Sequence, residues 1–390
     1  MSKRAANNDK LFTIFLRGLP YFFIFCLLLS LMLVTLGSEA MAEAASSSDD
    51  ALPEYSIQLS GSGSSSDCSS VILSGSTVTI TEAGSYIVNG TLSDGQLRVD
   101  TDKDSKVRLI LNGVTISNAN TAAIYVVSAD KVVLNLAEGT QNALSTEGSF
   151  VQTDENKVDA VIFSKDDLTV SGSGSLTVTS PSGHGIVSKD DLKIKSGPVT
   201  VTSGRKALSV NDTLTVEDGT LTLKAGTEGM ESTYVLINGG NISIEAGDDG
   251  INATWSSDTL SPLVEINGGS INIVMGQGDT DGIDSNGDLI ITGGTIDITG
   301  NSCFDCDGKI TFTGGTVITN GQQVDTIPNQ MMGGFGGRGG MGHGGFGDEN
   351  GNGFGMQEGS GDFGNAPGGM GPGGQRGHGG FGGGAPAGGW

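Results

Sequence analysis

Aliphatic and polar residues alternate with a two-residue period through the middle of the chain. The pattern starts weakly at Val78/Ile80, Leu109/Leu111, Val114/Ile116 and Leu134/Leu136, and becomes regular beyond residue 160. From Ile162 an apolar position recurs at Ile186, Leu208, Met230, Ile251, Ile283 and Phe304, with steps of 24, 22, 22, 21, 32 and 21 residues. Each recurrence is followed by an apolar-x-apolar pair, a Gly or Gly-Gly, and a second such pair. The first pairs are Leu192/Ile194, Leu214/Val216, Val235/Ile237, Val264/Ile266, Leu289/Ile291 and Ile310/Phe312. The second are Val199/Val201, Leu221/Leu223, Ile242/Ile244, Ile271/Ile273 and Ile296/Ile298. Such alternation predicts strands with one buried face. A period of about 22 residues, with no helical pattern between strands, predicts one turn of a stacked solenoid per unit. The expected fold class is all-β, a single-stranded parallel β-helix of about ten turns over residues 76–330.

Stacking places like side chains about 4.8 Å apart along each ladder, so the aliphatics pile into a dry core and the intervening Thr, Ser and Asn face water. The Gly239-Gly240, Gly268-Gly269, Gly293-Gly294 and Gly314-Gly315 pairs suit corners that require positive φ. Loops interrupt the period at Thr146–Val158 and Thr254–Pro262. Ser-rich residues 43–75 are expected to form a linker and the N-terminal cap over the first open edge.

The two ends of the chain have a different texture. Lys3, Arg4, Lys10 and Arg17 precede an apolar run from Tyr21 to Leu36 and the small-residue site Ala40-Met41-Ala42. Residues 1–42 therefore read as a secretory signal cleaved after Ala42. The alternative is an uncleaved anchor over Leu19–Gly37, which would bring the membrane in as a partner. Either way the expected location is secreted or cell-surface. Residues 331–390 hold 29 Gly, five Phe and no aliphatic alternation, which predicts a disordered Gly-rich tail.

Charge narrows the partners. With 20 basic and 44 acidic residues the net charge is −24, which argues against nucleic acid as a partner. Three His, two of them in the tail, leave no basis for a His-rich zinc site. Cys68, Cys303 and Cys306 are too few for a disulfide scaffold. Cys303-Phe304-Asp305-Cys306 is a CxxC in a strand repeat rather than at a helix start, and reads as a local disulfide or two buried thiols.

Three corners align as Glu228-Gly229-Met230, Asp249-Gly250-Ile251 and Asp281-Gly282-Ile283. Two unit charges one strand spacing apart repel by about 1 kcal/mol in water and several-fold more at a lower effective dielectric. A column of three therefore calls for protonation, full solvation or a bridging cation. Asp248, Asp279, Asp284 and Asp288 add oxygen atoms, and an oxygen-only donor set favours Ca²⁺. Solvated corner acids are the competing reading. Arg205-Lys206 is a basic pair close to this column, so Lys206 is either a salt-bridge partner of Glu228 or a general base. Trp255, in the largest insertion, is either a sugar-stacking ring or a loop anchor.

Ser164-Lys165-Asp166-Asp167-Leu168, its copy at Ser188–Leu192, Leu111-Asn112-Gly113-Val114-Thr115-Ile116, the Asp-Gly-Ile corners and the Gly-Gly turns resemble a family of secreted bacterial carbohydrate-binding proteins. The resemblance implies right-handed parallel β-helices, shaped like pectate lyases, that bind calcium and plant cell-wall polysaccharides including acidic pectins. His184-Gly185, Lys206-Ala207 and Cys303-Phe304 depart from the family's Asp-Gly pattern. Three functions are then expected in order: non-catalytic, calcium-assisted polysaccharide binding; a calcium-dependent lyase with Lys206 as base; and an adhesin or wall-structural role.

Overall fold

The computed structural model describes residues 52–276 and 280–329. The N-terminal signal-like segment, Asp279 and the Gly-rich tail lie outside these residues. Every regular element among the described residues is a strand, and the strands form an eleven-stranded and a twenty-one-stranded sheet.

The turn that starts at Met230 shows the plan. Met230–Ser232 belongs to a first ladder, Tyr234–Ile237 to a second and Asn241–Ala246 to a third. Each strand pairs in parallel with its counterparts in the turns before and after. This is the stacked β-helix that the 22-residue period implies. Ladders two and three merge into one sheet because Gly84–Leu92 and Lys106–Asn118 run through the corner between them.

The register follows the hydrophobic repeat residue by residue. Ile124, Ile162, Ile186, Leu208, Met230, Ile251, Ile283 and Phe304 are successive partners on ladder one, all buried. The apolar pairs fill the inner rows of ladders two and three, and only the last pair, Ile310/Phe312, is half-buried, at the C-terminal end. A one-residue slip would turn a whole inner row to solvent, so the alternation locks the pairing.

The glycine pairs divide their work. Gly240, Gly269, Gly294 and Gly315 have φ of +91°, +91°, +85° and +92°. Their preceding partners do not; there the constraint is close approach, since a Cβ at Gly293 would lie 2.4 Å from the Asn267 carbonyl oxygen of the previous turn. The expectation of positive φ therefore holds for the second glycine of each pair.

Both ends carry covering strands. Glu54–Ser60 pairs in parallel with Gly84–Leu92, so coiling begins before residue 76, and Val71–Ser74 folds antiparallel onto Thr77–Ile80. At the other end Gln322–Val324 turns back on Thr316–Thr319. The Asn329 amide there donates to the Cys306 carbonyl at 2.9 Å and accepts the Cys306 N–H at 3.0 Å, in the place a further strand would take. Exposed edges are blunted in this way against chain-to-chain pairing.

Cys68, Cys303 and Cys306 are free and buried, and burial pushes the Cys303 and Cys306 thiols up. Of the two non-redox readings of the CxxC, buried thiols is the one observed. Redox chemistry would call for a lowered thiol pKa instead.

Packing makes the interior and the cap respond differently. Ile244→Ala, in a fully buried stack, is expected to cost about 2–5 kcal/mol in urea unfolding. Ile72→Ala, 55% exposed on the covering strand, should change stability by less than about 0.5 kcal/mol. Equal losses for the two would contradict this assignment of the core.

Candidate functional site

The outer face of ladder one collects the chemistry. Each of its strands is entered through a residue, a small residue and the inward aliphatic, as in Asp249-Gly250-Ile251-Asn252. A Cβ on Gly250 would lie 2.5 Å from Ile273 Cγ2 and 2.4 Å from the Gly282 carbonyl oxygen. Glycine thus lets ladder one press against the inner row of ladder three. The residues on either side of it, three apart, both remain on the outer face.

Two parallel rows result. One runs His184, Lys206, Glu228, Asp249, Asp281, as the backbone bonds Gly185 N to Lys206 O, Ala207 N to Glu228 O, Gly229 N to Asp249 O and Gly250 N to Asp281 O show. The other runs Arg98, Tyr125, Phe163, Val187, Ser209, Glu231, Asn252, Asp284, Asp305. The three sequence-aligned acids do stack on successive turns. Glu231 and Asn252 complete their pairs, and sequence reasoning missed both. The signal was the i, i+3 spacing across the Gly.

The chemical character changes along this face. In the early turns Tyr125, Phe163 and Val187 pack with Ala160 and Val158 into a small outer core beneath the Glu147–Asp159 insertion. The Tyr125 hydroxyl donates to Asp154 Oδ2 at 2.7 Å and accepts from Asn156 Nδ2 at 2.6 Å, which fastens that loop. Next come nitrogen-bearing side chains that meet the acids from within the chain. Arg205 lies 3.2 Å from Asp159, and His184 Nε2 lies 3.4 Å from the same carboxylate. Lys206 Nζ lies 3.5 Å from Glu228 and also contacts Glu231. The salt-bridge reading of Lys206 is the observed one, extended by a second acid. Burial raises Glu228, but neighbouring groups including Lys206 outweigh it and hold the carboxyl below its usual range.

Beyond Glu231 the compensation stops. Asp249 Oδ2 accepts from Asn252 Nδ2 at 2.9 Å and Oδ1 from the Asp281 amide at 3.3 Å. Among the described residues, no Lys or Arg pairs with Asp249 or Asp284. Burial, then Asp284 and Asp248, push Asp249 up to about 7. Burial, then Asp305 and Asp281, do the same to Asp284, also to about 7. The Asn252 Oδ1, Thr280 Oγ1 and Ser302 Oγ atoms are buried there without hydrogen-bond partners. Unsatisfied polar oxygens and repelling carboxylates are what a hard cation would complete.

The other sequence candidates fall elsewhere. Asp248 is exposed beside Asp249 and acts on it through charge. Asp279 lies outside the described residues. Asp288 opens a ladder-two strand and its Oδ1 accepts the Lys309 amide at 2.8 Å, so it does not join the acidic rows. Trp255 is 66% exposed.

A second acidic group sits at the corner between ladders one and two. Carboxylate oxygens of Asp190, Asp191 and Asp212 lie within 4.8 Å of one another. Burial and neighbouring aspartates push Asp190 up. The repeated Ser-Lys-Asp-Asp-Leu motif was its visible trace in the sequence. Here, however, Asp191 Oδ1 already accepts the Thr213 amide at 2.9 Å.

A family model for carbohydrate-binding domain-containing proteins matches residues 74–325. The chain belongs to this family. A carbohydrate-binding domain-containing protein of Acetivibrio thermocellus is 34% identical over 213 residues, covering 52% of this chain and 72% of the relative. The structure of a polysaccharide lyase-like protein from C. thermocellum, solved as a gadolinium derivative, is similar at a TM-score of 0.52 and 30% identity. That match covers 68% of this chain and 96% of the other. In this carbohydrate-binding domain the acidic rows and the exposed Trp255 both lie within the matched residues.

The raised carboxyls make the metal-free domain pH-sensitive. Folding lifts Asp249 and Asp284 from about 4 to about 7, so the folded state holds protons that the unfolded state releases. Stability from these groups is fully present below about pH 4 and is lost as pH rises through 7. In chelator, the melting temperature is expected to fall across that window, and Asp284→Asn should flatten the slope. A melting temperature that rises with pH in the wild type, alone or relative to the variant, would contradict the assignment.

Proposed function

We propose that the chain binds cell-wall-type polysaccharide without cleaving it, and that Ca²⁺ held by Asp249, Asn252, Asp281 and Asp284 assists the binding. The single observation behind this reading is the raised carboxyls of Asp249 and Asp284 beside the unpartnered Asn252 Oδ1, on the outer face of a carbohydrate-binding domain. When bound, Ca²⁺ supplies positive charge that joins protein carboxylates to uronate carboxylates, which a chain at −24 would otherwise repel. The residues themselves contribute position. Asn252 orients Asp249, and the glycine-bound backbone keeps both rows on one open face. Trp255 offers a ring for stacking on a pyranose. The Thr and Ser rows of ladder three, Thr177, Thr200, Thr222 and Ser243 among them, offer hydroxyls to neutral glycan.

The lyase alternative has less support. Its candidate base, Lys206, directs Nζ at Glu228 and Glu231 instead of at the open face. We also read the chain as exported to the cell exterior or surface, on the basic and apolar pattern of residues 1–42.

Pull-down on polygalacturonate provides the test. Retention is expected in Ca²⁺ and should drop at least tenfold in chelator or in the Asp249→Asn/Asp284→Asn variant; chelator-insensitive retention would sink the bridging mechanism. Trp255→Ala should weaken binding to neutral glycan by about 1–3 kcal/mol while leaving the melting temperature unchanged, as measured by affinity electrophoresis and thermal scans.

A further inference from the structure

Successive turns of a solenoid are near-translations of one another, so what one turn does with a pair of side chains is informative about its neighbours. Glu228/Glu231, Asp249/Asn252 and Asp281/Asp284 are three such pairs, each spanning one small residue and one inward aliphatic. The first is compensated by a side chain. Lys206 stands one turn earlier in the same row and its Nζ meets both Glu228 Oε1 and Glu231 Oε2. The later pairs have no lysine in the equivalent place, because the residue one turn earlier is itself an acid, Glu228 and then Asp249.

The ammonium is enclosed rather than dangling. Lys206, Glu228 and Glu231 keep 21%, 12% and 11% of their side-chain surface exposed. His184 closes the N-terminal side, with its Nδ1 accepting the Lys206 amide at 3.2 Å. An acid pair this enclosed is strongly disfavoured as two bare carboxylates, so it calls for a positive charge or a proton at this point.

We propose that Lys206 is a covalently tethered substitute for a divalent cation, and that Glu228 and Glu231 form a further metal position which this side chain keeps closed. Lys206 thereby sets where the metal column ends. In its row the next position toward the N-terminus is His184 rather than an acid, and toward the C-terminus the positions are Glu228, Asp249 and Asp281. This inference rests on the cation reading of Asp249, Asn252, Asp281 and Asp284.

The test is calorimetric titration of the whole chain with CaCl₂, paired with thermal scans in chelator and in Ca²⁺. Lys206→Met is expected to bind one more Ca²⁺ per chain than the wild type, and to gain more melting temperature from Ca²⁺ than the wild type does. Lys206→Arg, which keeps the charge, should retain wild-type stoichiometry. Unchanged stoichiometry in Lys206→Met overturns the proposal. A Lys206→Met chain that folds only with Ca²⁺ supports it. One that stays unfolded in both conditions overturns it, since a cation then fails to replace the side chain. A wild type that binds no Ca²⁺ beside a Lys206→Met that binds one removes the Asp249–Asp284 reading alone, and silence in both removes both.

Discussion

The in-register stacking of each side chain on its counterpart in the next turn, about 4.8 Å away, constrains everything else in this protein. Inside, that constraint favours columns of one kind. Ile244, Ile273 and Ile298 fill each other's neighbouring space, and a polar residue among them would face apolar atoms above and below. The same spacing stacks glycine on glycine at the corners, since a Cβ in one turn would strike the backbone of the turn before.

Outside, the constraint works against charge. A repeated acid places like on like at a distance where repulsion matters. Most outer columns resolve this within the chain. Lys224 pairs with Glu245 at 2.6 Å on adjacent turns of ladder three. On ladder two, Glu217 accepts from Asn238, Asn238 from Asn267, and Thr292 donates to Asn267. Lys206 does the same for Glu228 and Glu231. The turns of Asp249 and Asp284 break this rule, as does the corner of Asp190, Asp191 and Asp212. A local rule broken on an otherwise consistent scaffold is where function is best sought.

The face carrying them is also shaped by what surrounds it. The Glu147–Asp159 insertion is fastened to the aromatic column of the early turns, whereas Asn252, Asp284 and Asp305 in the later turns remain partly exposed. The insertion bearing Trp255 follows directly after Asn252. An acidic strip and an exposed ring are thus attached to the same stretch of a rigid solenoid, which suits recognition of an extended polymer better than enclosure of a small ligand.

How much of this was legible beforehand depended on the range of the interaction. Alternation at two residues and recurrence near 22 residues were enough to place Ile162, Ile186, Leu208, Met230, Ile251, Ile283 and Phe304 in one buried row, because backbone pairing and burial repeat identically in every turn. Stacking of Glu228, Asp249 and Asp281 followed from the same arithmetic. What the chain's order alone left open was which outward side chains meet. That Lys206 reaches both Glu228 and Glu231, that Asn252 joins Asp249, that Asp288 leaves the cluster for the Lys309 amide, and that Asp190, Asp191 and Asp212 converge at a corner all depend on side-chain reach and the burial of particular oxygens. By itself the sequence determined the coil and its register, since those are set by a periodic burial pattern. Only the tertiary structure decided which acids meet a basic side chain and which meet other acids, because charge compensation is settled by distances across turns, in three dimensions, one pair at a time.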